Sequence, residues 1–182
     1  MLDVVVVSFL VAFLRGGRIK EMPHFKSLWA LIASIVFQIS SAFVGQYAGI
    51  LVGISYGFIL VFFFGNREQE DMRIFTIGWL LNALVIWANQ GRMPVDLEQA
   101  KKVDFPIEQL IAGTDYKHIL LTAETKLPFL ADFIYKPFYF ERVISIGDLF
   151  IILATFLLVQ RIFNKPISLI RLREGKIYEA KS

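Results

Sequence analysis

The chain has 182 residues, of which 56% are apolar and only 19% charged, with a net charge of +3 and a mean hydropathy of +0.59. Globular chains run nearer half apolar and about a quarter charged, so this balance is displaced towards the membrane class. The lack of cysteine excludes disulfides, a thiol nucleophile and thiolate zinc sites, two histidines exclude a histidine-rich metal cluster, and the scattered basic residues form no nucleic-acid face.

Five apolar segments follow one another, 2–14, 28–44, 47–64, 74–88 and 144–160. They predict an all-α membrane protein, a bundle of about five transmembrane helices in one domain over 1–182. A crossing takes about 20 residues for about 30 Å of hydrocarbon. The third segment nearly meets this alone, and the others recruit flanking residues or thin the bilayer. At about 1.5 Å per residue, segment 2–14 reaches only about 20 Å, so its full crossing stays open. No basic residue precedes it, and Arg15-Gly16-Gly17-Arg18 stands where a small-residue cleavage site would lie. It therefore reads as a retained helix, not a signal peptide. The arginines either bind anionic headgroups or simply end the helix.

The basic residues orient the bundle. Arg15, Arg18, Lys20 and Lys26 follow the first segment, Arg67 and Arg73 precede the fourth, and Arg161, Lys165, Arg171, Arg173, Lys176 and Lys181 fill the tail 161–182. The turn at Gly45-Gln46 carries none. The positive-inside rule then places the N-terminus outside and the C-terminus inside, and the long 89–142 connection, outside, weighs little in it.

In the third segment Gly45, Gly49, Gly53 and Gly57 recur on one helix face. Such faces let helices approach closely in lipid. This one predicts helix packing within the chain, in a homo-oligomer, or against a membrane-protein partner. Gln38 and Asn82 sit inside helices and need hydrogen-bond partners there.

The outer connection predicts short helices. Asp96, with Gln99 three residues on, reads as the N-cap of a helix over 97–102. Asp104 is expected to cap a second over 105–112, stopped by Gly113, and Thr122 a third turn. The run LPFLADFIYKPFYF from Leu127 is aromatic and broken by Pro128 and Pro137. It predicts an interfacial or re-entrant element that roofs the bundle.

Asp148 opens the last segment near its outer end, where a carboxylate is costly and faces a bundle interior or a wet cavity. Asp132 lies in the aromatic run before it. Two carboxylates brought together split their pKa values, one ionised and one protonated, which is how aspartate hydrolases activate water and protonate a leaving group. The plainer alternative makes Asp148 a helix cap and Asp132 a turn cap or a partner of Lys136 or Arg142. Asn89 either holds a substrate carbonyl or ends its helix. Arg92, His118 and Thr122 are further substrate-binding candidates on the outer face, with His118 a base or pH switch. No metal ligand set or cofactor motif is present.

Several stretches occur together and in order: the apolar start ending in Arg15-Gly16-Gly17-Arg18, Asn89-Gln90-Gly91-Arg92-Met93-Pro94-Val95, HILLTAETKLPFLAD over 118–132, and Ser145-Ile146-Gly147-Asp148. In these the chain resembles the uncharacterised bacterial multi-pass membrane proteins grouped as domain of unknown function 5317. That family typically has Asn-Gly-Gly at 89–91 and Leu-Gly-Asp at 130–132. The resemblance implies the bacterial cytoplasmic membrane and supplies no activity. Over 131–148 there is a more local likeness to lipoprotein signal peptidases, in which two outer-face aspartates cleave a peptide bond near a diacylglyceryl cysteine. The Gly-Asn…Asp-Arg motif of those enzymes is not reproduced.

Three functions follow as expectations. The first is a multi-pass bundle that binds lipid or a partner. The second is a membrane-embedded aspartate hydrolase with Asp132 and Asp148 as its catalytic pair, acting on a lipid-modified or membrane-spanning substrate. The third is a small transporter or subunit with Gln38, Asn82 and Asp148 as its polar path. Membrane lipids are the partners common to all three, and neither a cofactor nor nucleic acid is expected.

Overall fold

The computed structural model describes residues 2–19, 23–41, 43–44, 48–115, 117–137 and 140–169. In chain order the elements are α1 (Leu2–Leu14), α2 (Leu28–Ser41), α3 (Ala48–Gly65), α4 (Glu70–Ala88), β1 (Met93–Val95), α5 (Leu97–Ala100), α6 (Ile107–Ala112), β2 (His118–Leu120), β3 (Ile134–Lys136), β4 (Arg142–Ile144) and α7 (Ile146–Ile162). The fold is mostly helical, as expected, but not all-α. Among the described residues, by length and composition only the 19-residue α4 is long and apolar enough to cross a membrane; α1, α2 and most of α3 are shorter apolar helices. Five crossings are therefore not established by the helices themselves.

The long helices form two groups. α2 and α3 pair as a hairpin, and α4 packs antiparallel to α7, with α1 alongside α7. An aromatic core joins the hairpin to α4: Ala30, Phe62, Phe63 and Met72 are buried, with Phe25, Phe58, Phe75 and Trp79 packed on them. α4 begins four residues before its apolar run. Glu70 and Asp71 lie in its first turn, where acidic side chains suit the helix dipole. Buried Asp71 also accepts from the Arg161 guanidinium of α7 at 2.8 Å.

Within the chain, a close helix contact falls on glycines outside the α3 repeat. A Cβ on Gly78 of α4 would lie 2.6 Å from the Gly147 carbonyl, and one on Gly147 would overlap the Asn82 amide. These two glycines, one on each helix, let α4 and α7 meet. Gly53 and Gly57 are exposed, and an added Cβ on either would meet nothing within 4 Å. Gly49 lies in α3, and Gly45 falls outside the described residues.

The cap contains strands where only short helices and an interfacial element were expected. β1 and β2 pair in parallel with Met93 opposite His118, and β3 and β4 form an antiparallel hairpin with Tyr135 opposite Val143. Among its described residues the aromatic run holds no α-helix. Pro128–Leu130 makes one 3-10 turn, and Ile134–Lys136 then extends, as β-branched and aromatic residues favour. Two helix-end signals hold: Asp96 Oδ1 accepts from the Gln99 N–H at 2.9 Å, and Gly113 ends α6 with a left-handed φ of 68°. Asp104 does not cap α6. Pro106 holds that position without a side-chain hydrogen bond, and its fixed φ suits a helix entry.

Candidate functional site

Asp132 is presented by backbone pairing. Its N–H donates to the Pro94 carbonyl at 2.9 Å, and its carbonyl accepts from the Asp96 N–H at 2.9 Å. It thus bridges in parallel to β1 on Val95. Leu130 beside it is buried with Val85 of α4 and Met93 of β1, which anchors the segment to the top of α4. The side chain lies between cap and bundle, and its Oδ1 is closed from solvent with no hydrogen-bond partner.

Asp148 is held differently. Ser145 is the N-cap of α7 and accepts from the Asp148 N–H at 3.0 Å, while Asp148 Oδ2 accepts from the Ser145 N–H at 3.1 Å, a reciprocal capping box. Asp148 Oδ1 accepts from the Asn82 amide at 3.0 Å, and the Asn82 carbonyl oxygen accepts from the Ser145 hydroxyl at 2.8 Å. Asn82 therefore finds its partners across the Gly78–Gly147 contact. Both Asp148 oxygens receive N–H donors, as a carboxylate's do, and each keeps a lone pair for a further donor.

The two aspartates feel one another. Burial first, and then the negative charge of Asp148, push the Asp132 carboxyl up to about 8. At neutral pH it keeps its proton. Two carboxyl groups in contrasting surroundings, one with hydrogen-bond donors and one without, separate into a base and an acid. The helix-cap alternative for Asp148 holds as well. Lys136 pairs with Asp3 of α1 rather than with Asp132.

The other candidates lie elsewhere in the cap. Asn89 is the C-cap of α4, and its amide nitrogen donates to the Val85 and Lys126 carbonyls at 2.8 Å each while its oxygen accepts from the Lys126 N–H at 3.0 Å. It braces the 122–127 turn to the helix. Thr122 shapes that turn, with its hydroxyl accepting from the Glu124 N–H at 3.3 Å. Arg92 reaches the Gly113 carbonyl at 3.4 Å. His118 Nδ1 is 2.9 Å from Asp115 Oδ2, and Phe105 meets its ring edge-on at 5.1 Å. Burial raises the Asp115 carboxyl, but hydrogen bonds from the Lys117 N–H and from the ring and N–H of His118 outweigh it and hold the carboxyl below its ordinary range. Asn82, read from the sequence only as part of a polar path, and Ser145, read only within the Ser145–Asp148 motif, are the residues that position Asp148. The signal was the need of an in-helix Asn for partners. Among the described residues, no three acidic or histidine side chains are grouped to hold a metal.

The fold is that of a small, mostly helical protein whose strand-braced cap carries Asp132, one oxygen buried without a hydrogen-bond partner, within the electrostatic reach of the hydrogen-bonded Asp148. The chain belongs to the family of unknown function DUF5317, whose model matches residues 22–160. It is also 28% identical over 160 residues to an uncharacterized protein of Thermotoga maritima, covering 86% of this chain and 88% of the relative. No solved structure matches. The family resemblance drawn from the sequence holds, and it carries no activity with it.

Proposed function

We propose that this is a multi-pass membrane protein whose Asp132 and Asp148 form a hydrolytic acid–base pair at the outer face. The observation that carries the reading is the asymmetry of the pair: Asp132 Oδ1 is closed off and without a partner, while the Asp148 carboxylate accepts from the Asn82 amide and the Ser145 N–H, and the Asp148 N–H donates to the Ser145 hydroxyl. In this reading Asp148 takes a proton from a water whose oxygen attacks a scissile carbonyl, and Asp132 gives its proton to the carbonyl oxygen. The resulting diol collapses. Asp148 returns its proton to the leaving group, Asp132 recovers one from a hydroxyl, and a carboxylic acid is released with the pair reset. Acid and base groups of this kind contribute about 10²–10⁴-fold each.

The membrane setting is supported by the outward faces of the helices. Phe13 (71% exposed), Leu14 (82%) and Trp87 (81%) are bare, as are Ile32, Ile35, Ile39, Ile50 and Ile54 along the hairpin. Faces of this extent need lipid or a partner. The bacterial cytoplasmic membrane, with the N-terminus outside and the C-terminus inside, is part of the proposal. Mass spectrometry of lipids and membrane peptides from cells making the wild type, Asp132→Asn or Asp148→Asn tests the chemistry. A product present with the wild type and lost in both variants is expected. The same products from all three would remove the hydrolase.

A second reading is favoured by the bare face at Gly53 and Gly57, which fits a binding role in which a second copy or a membrane-protein partner docks on α3. It coexists with the first.

A further inference from the structure

α1 and α7 run side by side without filling the space between them. Towards their inner ends they are joined: the Gln160 amide donates to the Ser8 carbonyl at 3.0 Å, and Phe9 meets Phe163 edge-on at 5.2 Å. At the outer end Lys136 of β3 pairs with buried Asp3 of α1. Between these closures lies a cavity of about 400 Å³, lined chiefly by Val4 and Val7 of α1 and by Leu149, Ile152, Leu153 and Phe156 of α7. The α7 residues form a single helical stripe, turned towards an unfilled gap. Val7, Leu149 and Leu153 are exposed, so the gap opens sideways. As an apolar groove, it falls within the roughly 300–1,000 Å³ that small-molecule sites occupy.

We infer that this gap holds one hydrocarbon chain of an amphiphilic substrate, acylated or lipid-linked, with its polar end emerging beneath the cap. That the occupant is a substrate rests on the hydrolase reading. A chain fits where a partner helix, about 10 Å across, does not, because contacts within this protein close both ends. Lys136, which lines the outer end of the gap, lies on β3 of the same cap that carries Asp132.

The test uses the full chain in phosphatidylethanolamine vesicles with phosphatidylglycerol carrying a diazirine at the end of one acyl chain. After photolysis, adducts are expected on Val4, Val7, Ile152 and Phe156. They should fall at least tenfold in Val7→Trp, which fills the gap, and persist in Ile54→Trp on α3 and in Asp132→Asn. Adducts spread equally over the outward faces of α2 and α3 would overturn the inference. That wild-type pattern decides it even where Val7→Trp fails to fold. Adducts in the gap without a hydrolytic product remove the acid-pair reading and leave a lipid site. A product without adducts in the gap removes the site and leaves the acid pair.

Discussion

Asp132 takes its behaviour from the surroundings of one oxygen. Oδ1 is sealed from water and has no donor, so ionisation leaves an uncompensated charge beside that of Asp148. The group is raised from 3.8 to about 8, so the folded state binds a proton that the unfolded chain has released. The associated stability is fully present below about pH 3.8 and is lost as pH rises to about 8, by up to about 1.4 kcal/mol per pH unit. Asp132→Asn is neutral at every pH, so its melting temperature in detergent should be flatter across that window and higher at pH 8 than the wild type's. An unchanged slope would place the shift elsewhere. From sequence alone, the residue types at 132 and 148 raised the pair as a candidate beside the plainer reading of two caps. Which of the two keeps the proton was not readable, because it depends on Asn82, 66 residues from Asp148 in the chain.

At the scale of elements, helix ends were legible because their signals are local: Asp96 with Gln99, and Gly113 after α6, act within one turn. Strands β1 and β2 were not, since three-residue strands have little pattern and Met93 finds its partner at His118. The glycines carried a related lesson. The repeat in α3 is conspicuous, yet the glycines that bring two helices together are the unrepeated Gly78 and Gly147. Overpacking costs about 1–3 kcal/mol, so Gly78→Ala should lower the melting temperature clearly and loosen Asn82 from Asp148. Gly57→Ala meets open space and gains helix propensity of up to about 1 kcal/mol. It should leave the isolated chain as stable or more so, and reduce association in lipid where α3 docks a partner. Thermal melts of the two variants in detergent check the contrast, and equal losses would contradict it.

For the whole molecule, composition pointed to lipid more firmly than any helix length does, because among the described residues only α4 qualifies as a crossing by length and composition. The contacts of Arg161 with Asp71 and of Arg15 with Gln160 at 2.7 Å lie at the opposite end of the helices from Asp132 and Asp148. The absence of native cysteine makes orientation directly measurable. In intact cells Thr122→Cys should react with a membrane-impermeant maleimide, and Lys165→Cys only after permeabilisation; the reverse pattern would invert the topology and put the pair inside. An unequally held proton on Asp132 beside Asp148 is read directly by difference infrared spectroscopy of the reconstituted protein. A protonated-carboxyl band is expected at pH 7 that titrates away near pH 8, is absent in Asp132→Asn, and titrates at lower pH in Asp148→Asn. A band missing from the wild type at pH 7, or one indifferent to Asp148→Asn, would contradict it.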